Sequence, residues 1–174
     1  MSKKIPWRDF LKKYLILIFS LYSLKSYSGF LLEPYAGVDN GSQDVSWFGL
    51  ELGGRIGWVW DSFMVGADFD YKNVNVSYEG TLNYDENTKI SNRGLFVGWM
   101  WEDWALRLKW YFDSDWRLDN GLVYSGDGFG LDGAYRLSKN LSLNLELTRI
   151  NLNNNLEAMD VLFSVSLPFD LVTR

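Results

Sequence analysis

The sequence predicts an all-β protein, a single up-and-down antiparallel β-barrel of about eight strands that crosses a membrane. Three observations support this fold. Large apolar residues alternate with polar or small ones in about eight segments, a period of two that is typical of strands with one apolar face. Short turns alternate with longer polar stretches. Aromatic residues make up 17% of the chain, yet its mean hydropathy is slightly negative, as expected for an apolar exterior around a polar interior.

The alternating segments follow one another at regular intervals. They are predicted at 31–39, 47–60, 62–72, 93–101, 104–112, 123–136, 141–150 and 159–169. In segment 104–112, Trp104 and Trp110 lie near the two ends of the apolar face, where indole rings would meet the lipid headgroup boundaries. Most segments have about the 9–11 residues that a tilted strand needs to cross a bilayer.

Two kinds of connection separate the segments. Tight turns are predicted at 61–62, 102–103 and 138–140, and longer polar loops at 39–46, 73–92, 113–122 and 151–158. Outer-membrane barrels carry short turns at the periplasmic end and long loops at the outer end, so both termini are expected in the periplasm. Segment 73–92 could instead prolong the barrel strands well beyond the membrane.

Outward aromatic side chains are expected to form a girdle at each lipid boundary. The predicted girdle consists of Trp58, Trp60, Phe63, Trp99, Trp101, Trp104, Trp110, Phe112, Tyr135 and Phe169. Trp47, near a long loop, is assigned to the outer girdle as well. The alternative is that these rings form the core of a soluble barrel, but such a core would concentrate them in the middle of the strands.

The polar face of the segments is charged and is expected to face the barrel interior. The predicted lumenal charge network consists of Glu33, Glu51, Arg55, Asp68, Asp70, Lys72, Arg107, Lys109, Asp132, Arg136 and Glu146. Side chains fill an eight-stranded barrel, so charges buried there must form pairs or bind trapped water. A salt-bridge network that plugs the lumen is expected. The alternative is a narrow path for ions, gated by exchange of partners between arginines and carboxylates.

Residues 1–28 are predicted to be an export signal, and residues 29–174 the barrel domain. A basic stretch precedes the apolar run 14–24, which is short for a transmembrane helix, and the small residues Ser26 and Ser28 fit a cleavage site. A retained anchor helix is the alternative. Cleavage would remove mainly basic residues from a chain whose formal net charge is already −5, which disfavours binding to nucleic acid.

Three stretches of the chain resemble one family of membrane proteins. They are EPYAG at 33–37, GLELGGRIG at 49–57 and YRLSKNLSLNLE at 135–146. Together with the alternating pattern they resemble the outer membrane protein β-barrel domain family, the small OmpA/OmpX-like barrels often labelled porin family proteins. The resemblance implies a monomer in the outer membrane of a Gram-negative bacterium, in contact with its lipid and dependent on the export and barrel-assembly machineries. The last segment ends on Phe169, as the family's assembly signal does, but residues 170–174 follow it.

No motif predicts a catalytic, cofactor or metal site. Residues 128–133 match the GxGxxG dinucleotide fingerprint, but they lie in a predicted strand rather than at the start of a helix. The acidic stretch 113–121 has Arg117 where a calcium-binding EF-hand loop needs an oxygen ligand, and it lacks the closing glutamate. The chain has no histidine, the usual base of enzymes on small outer-membrane barrels, so no enzyme is expected.

Two functions follow from these expectations. The first is a structural or surface-interaction protein with a plugged lumen, whose loops 73–92 and 113–122 face the exterior and could meet an extracellular ligand. The second is a narrow porin-like channel for ions or small solutes. A soluble, lipocalin-like carrier is a third reading, in which the faces are reversed and the tryptophans lie inside.

Overall fold

The structure, a computed structural model, describes residues 28–43, 46–78, 84–153 and 156–171, which form one closed antiparallel β-barrel. Its strands are β1 Ser28–Gln43, β2 Ser46–Trp60, β3 Phe63–Tyr78, β4 Tyr84–Trp101, β5 Trp104–Leu118, β6 Val123–Ser138, β7 Leu141–Leu152, β8 Glu157–Ser166 and β9 Phe169–Leu171. Consecutive strands pair with each other, and β1 also pairs with β8 and β9. Both β8 and β9 pair with β1, and the register of the pairing is the same in the two, so they are two parts of the last barrel strand. The predicted eight-stranded up-and-down barrel is confirmed.

Short turns mark one end of the barrel, which we call the lower end. Two-residue turns at 61–62, 102–103 and 139–140 connect β2 to β3, β4 to β5 and β6 to β7. Asp61 and Glu102 open two of these turns with φ angles of 53° and 38°, the left-handed conformation that matches the twist of a hairpin. Ser138, predicted in a turn, is instead the last residue of β6. Among the described residues, no helix is long and apolar enough to cross a membrane. The predicted export signal lies, apart from Ser28, outside the described residues.

The predicted long loops at the opposite, upper end consist mostly of strand. β3 continues to Tyr78 and β4 begins at Tyr84, so most of segment 73–92 is a paired hairpin. This is the alternative in which the strands extend further along the barrel. The predicted loops 39–46, 113–122 and 151–158 were too long for the same reason, since β5, for example, continues to Leu118 and leaves only residues 119–122 between it and β6.

The alternation of apolar and polar residues inverts in these upper parts of the strands. On β3, Tyr71 faces outward and Lys72 faces the lumen, whereas two residues further along Asn73 faces outward and Val74 faces the lumen. An apolar exterior is favourable only where lipid surrounds the barrel, and above that level a strand with an apolar interior and a polar exterior is favoured. The strand therefore continues although the sequence pattern reverses, which explains why the upper parts resembled loops.

An apolar belt of exposed side chains surrounds the lower and middle parts of the barrel. Leu50 and Phe129, for example, are 68% and 64% exposed. The structure places all ten predicted girdle residues on this outer face, eight of them near the short turns or the last strand and Trp110 and Phe112 at the upper edge. Arg93 and Arg149, which pair across strands with Phe69 and Phe129, are the first outward-facing arginines at the upper edge of the belt.

Candidate functional site in the barrel lumen

A cluster of seven charged side chains fills the middle of the lumen, and we call it the lower tier. It consists of Glu33, Arg55, Asp68, Arg107, Lys109, Asp132 and Glu146. Arg55 lies at its centre and is 1% exposed. Its guanidinium lies 2.9 Å from Glu33 Oε1 and 3.0 Å from Asp68 Oδ2, with Asp132 and Glu146 at 3.3 and 3.6 Å. One cation thus joins carboxylates from four other strands.

The remaining two cations of the lower tier complete its pairing. Arg107 donates to Glu33 at 2.7 Å and to Asp132 at 2.6 Å, and Lys109 lies 2.6 Å from Asp68 and 2.5 Å from Glu146. Each of the four carboxylates therefore forms ion pairs with two cations. Buried charges with several partners of this kind offset much of the cost of removing them from water.

Two tyrosines that were absent from the predicted network stabilise the lower tier. The Tyr35 hydroxyl donates to Asp68 at 2.9 Å, and its ring centroid lies 4.2 Å from the Arg55 guanidinium carbon, a cation–π contact. The Tyr111 hydroxyl donates to Glu146 at 2.6 Å. Gly53 leaves room for the Tyr35 ring, since a Cβ at this position would lie 2.2 Å from Tyr35 Cζ.

A second charged cluster, the upper tier, lies above the first. It consists of Asp39, Glu51, Asp70, Lys72 and Asp160. Lys72 Nζ is shared by Asp160 at 2.5 Å, Glu51 at 3.0 Å and Asp39 at 3.1 Å. Asp39 and Asp160 were absent from the predicted network. Both lie within the predicted segments 31–39 and 159–169 and share the parity of the lumen-facing residues, so parity alone assigns them to the lumen.

Asp70 differs from the other upper-tier carboxylates because no cation of the described residues lies within ion-pair distance. Its Oδ1 accepts a hydrogen bond from Asn92 at 2.7 Å. Asn92 Oδ1 accepts in turn from the Ser114 hydroxyl, and Ser114 accepts from the indole N–H of Trp116. A chain of neutral donors thus connects Asp70 to the side chains above it.

An apolar cap closes the lumen above the upper tier. It consists of Trp47, Val74, Val76, Ile90, Trp116, Ile150, Leu152 and Ala158. The rings of Trp47 and Trp116 meet edge to face with centroids 5.1 Å apart, and the Trp47 indole donates to Asp39 at 2.8 Å. The placement of Trp47 in the outer girdle was therefore wrong. Trp47 lies in the upper part of β2, where the apolar face points inward.

Comparison with solved structures identifies the architecture. Neisserial surface protein A matches with a TM-score of 0.54 and 14% identity over 82% of this chain and 99% of that one. Ail of Yersinia pestis, in complex with the heparin analogue sucrose octasulfate, matches with a TM-score of 0.53 and 10% identity over 84% and 100%. OprG of Pseudomonas aeruginosa matches with a TM-score of 0.50 and 10% identity over 82% of this chain and 95% of that one.

The chain has the fold of the small outer-membrane β-barrels. Its sequence matches no family model and no curated relative. The likeness is therefore one of architecture, and the lumen of this outer-membrane-type barrel must be interpreted from its own side chains.

An apolar floor, which consists of Leu31, Val59, Met64 and Phe96, occupies part of the lower end of the barrel lumen. Beside the floor is a pocket of about 20 Å³, room for roughly one water molecule. Arg136, predicted in the charge network, lines this pocket, half-buried, with Nη2 3.7 Å from the sulfur of Met100. The structure thus brings ten of the eleven predicted charged residues into the two tiers, whereas Arg136 lies outside them at the lower end of the barrel.

The described residues of the lumen include no group of three carboxylates arranged to hold a metal ion. The sequence motif at 128–133 lies within β6, where Gly128 and Gly130 face the lumen and no helix begins. What the geometry provides is a filled interior with layered polarity, from the apolar floor through the two charged tiers to the apolar cap.

Proposed function

We propose that this chain is an integral outer-membrane protein with a plugged lumen and a structural or surface-interaction role at the cell envelope. The fold and the exposed apolar belt support a location in the outer membrane, with lipid around the belt. Short turns at the lower end support a periplasmic position for that end and for both termini. The protein would be a monomer that reaches the membrane through the export and barrel-assembly machineries.

The observation that carries the plug is the layered filling of the lumen. An apolar cap closes the upper end and an apolar cluster lies at the lower end, and the charges between them, apart from Asp70, are held in ion pairs. An ion entering from above would have to pass the buried rings of Trp47 and Trp116. Hydrophobic constrictions exclude water and ions, so a conducting path would require these layers to rearrange.

The upper parts of the strands support a role at the cell surface. They extend the barrel above the apolar belt with a polar exterior, so that hairpins such as β3–β4 project into the surrounding water. Ail, whose fold is similar, is named an attachment invasion locus protein. An attachment role for the projecting hairpins of this chain is the form of surface interaction that we propose.

Planar-bilayer recording tests the plug against the channel alternative. The refolded protein, with folding verified by its heat-modifiable migration on gels, should give no stable conductance steps. A Trp47→Ala/Trp116→Ala variant removes the two large rings of the cap, and Trp110→Ala removes a ring of similar size from the outer face. We expect brief openings only in the cap variant. Stable steps in the wild-type protein would overturn the plug and establish the channel.

A fractionation experiment tests the location independently of conductance. The protein expressed with its own N-terminal segment should be recovered in the outer-membrane fraction and should require detergent for release. Recovery of the chain in the soluble periplasmic fraction would contradict the proposal and favour the soluble carrier.

A further inference from the structure

The upper tier contains a charge imbalance that its ion pairs do not remove. Four carboxylates there face one ammonium group, and all five side chains are buried. The apolar cap lies above them and the lower tier, itself with one carboxylate more than cations, lies below. A cluster of negative charge enclosed in this way is costly unless positive charge or hydrogen-bond donors are supplied from elsewhere.

The unpartnered atoms of the upper tier point to what is missing. Four carboxylate oxygens of the tier have no hydrogen-bond partner among the described residues; Glu51 Oε2 still lies 3.0 Å from Lys72 Nζ, whereas Asp39 Oδ1, Asp70 Oδ2 and Asp160 Oδ1 have no such contact, and each of these side chains is at least nine-tenths buried. All four atoms are acceptors. The compartment therefore lacks donors rather than acceptors, and a bound donor or cation would satisfy it.

Of the four upper-tier carboxylates, Asp70 has the greatest need for an additional hydrogen-bond donor or positive charge. Each barrel strand except β6 contributes a polar group to the region. These groups are Tyr35 and Asp39 on β1, Glu51 on β2, Asp68 and Lys72 on β3, Asn92 on β4, Lys109 and Tyr111 on β5, Glu146 on β7 and Asp160 on β8. Lys72 is already shared by three other carboxylates, and Lys109 pairs with Asp68 and Glu146.

We propose that the upper tier is a proton-binding site, which takes up protons as the barrel folds and places at least one of them on Asp70. A proton converts a carboxylate oxygen without a partner into a hydroxyl donor and reduces the negative charge of the compartment. A metal ion would need several carboxylates converging on one point, and no group of three described side chains has that arrangement.

Proton uptake makes stability depend on pH with a definite sign. Above about pH 5 the carboxyl groups of the unfolded chain are ionised. A folded barrel that holds more protons than the unfolded chain loses stability as the pH rises, about tenfold in the folding equilibrium constant per pH unit for each proton held. The loss stops at the pH where the folded barrel releases the proton.

Equilibrium urea unfolding in phosphatidylcholine vesicles, between about pH 5 and pH 9, tests the proposal. The wild-type folding constant should fall as the pH rises, and Asp70→Asn should flatten this decrease by up to about tenfold per pH unit. Asp113→Asn, a matched change in a carboxylate on the outer face, should retain the wild-type slope. If Asp70→Asn does not fold, Asp160→Asn takes its place.

Three outcomes would overturn the proposal. The first is a wild-type folding constant that stays constant or rises with pH. The second is the same pH dependence of the folding constant in the wild-type protein and the Asp70 variant. The third is loss of that pH dependence on adding millimolar sodium or magnesium ions, which would identify a metal ion as the ligand. The proposal rests on the closed lumen of the proposed function. Conductance and pH slope are measured separately, so a conducting barrel and a barrel without bound protons are distinguishable results.

Discussion

The two charged tiers of the lumen contain the same number of carboxylates but differ in their cations. In the lower tier three cations serve four carboxylates, and every carboxylate pairs twice. In the upper tier only Lys72 serves Asp39, Glu51 and Asp160, and Asp70 has a neutral partner. Equal burial therefore does not mean equal compensation. The lower tier stabilises the barrel through its own pairs, whereas the upper tier depends on indole, amide and proton donors.

The tiers also divide the strands between them. The lower tier joins all the strands from β1 to β7 except β4, and the upper tier joins β1, β2, β3 and β8. β4 contributes Asn92, which is bonded to Asp70. Since a one-residue slip would exchange lumen and lipid faces, these cross-lumen pairs favour one register of the sheet.

The largest expected effect is that of Arg55→Met, which tests the lower tier at its centre. The change removes the cation that pairs with four buried carboxylates and leaves their charges less compensated. We expect a loss of about 3–5 kcal/mol in the free energy of unfolding, which urea titration of the refolded barrel in vesicles would measure.

Arg107→Met provides the matched comparison for this prediction. Arg107 pairs with only two carboxylates, each of which retains Arg55, so its loss should cost clearly less than that of Arg55. Equal costs for the two variants would contradict the central role of Arg55 and reduce the lower tier to a set of independent pairs.

A pair of substitutions on β3 sharpens the comparison between the tiers. Asp68 and Asp70 are two residues apart and both buried, but Asp68 pairs with Arg55 and Lys109 whereas Asp70 lacks a cation among the described residues. Asp68→Asn should destabilise the barrel by about 2 kcal/mol at neutral pH, because charged hydrogen bonds are lost. Asp70→Asn should stabilise it by about 1 kcal/mol, because the variant barrel can fold without taking up a proton at this position. The same sign for both variants would show that the tiers do not differ in compensation.

The fold and most of the lumenal charges could be predicted from the sequence because one physical rule holds over the whole lipid-facing part of the barrel. There the exterior is apolar, so residues such as Arg107 and Lys109 are assigned to the lumen by parity alone. Asp39 and Asp160 follow the same rule and lie inside the predicted segments 31–39 and 159–169, but the polar face was assigned only up to Gly37 in the first segment and only from Leu162 in the last.

The apolar cap could not be predicted from the same rule because the solvent outside the barrel changes. Above the belt the exterior is water, and Trp47, Val74 and Trp116 turn their apolar side chains inward. The signal that identifies such strands is that the apolar residues move from the outward-facing to the lumen-facing positions at the lipid boundary. On β3 this change falls between Tyr71, which faces outward, and Val74, which faces the lumen. The pairing of particular charges across the lumen depends on barrel radius and strand tilt, which the sequence of one strand does not contain.

The smallest expected effect is that of Arg93→Gln, which compares an ion pair outside the barrel with those inside. Arg93 lies 2.7 Å from Asp113, no further than many of the lumenal pairs, but its side chain is 56% exposed. Water already solvates both groups, so the loss should be under about 1 kcal/mol in the urea titration. Raising the salt concentration should abolish even this difference while leaving the cost of Arg55→Met largely unchanged, because ions screen exposed pairs and hardly reach a closed lumen. Similar salt dependence in both variants would mean that solvent ions enter the lower tier, and the plugged lumen would be contradicted along with the contrast between the two environments.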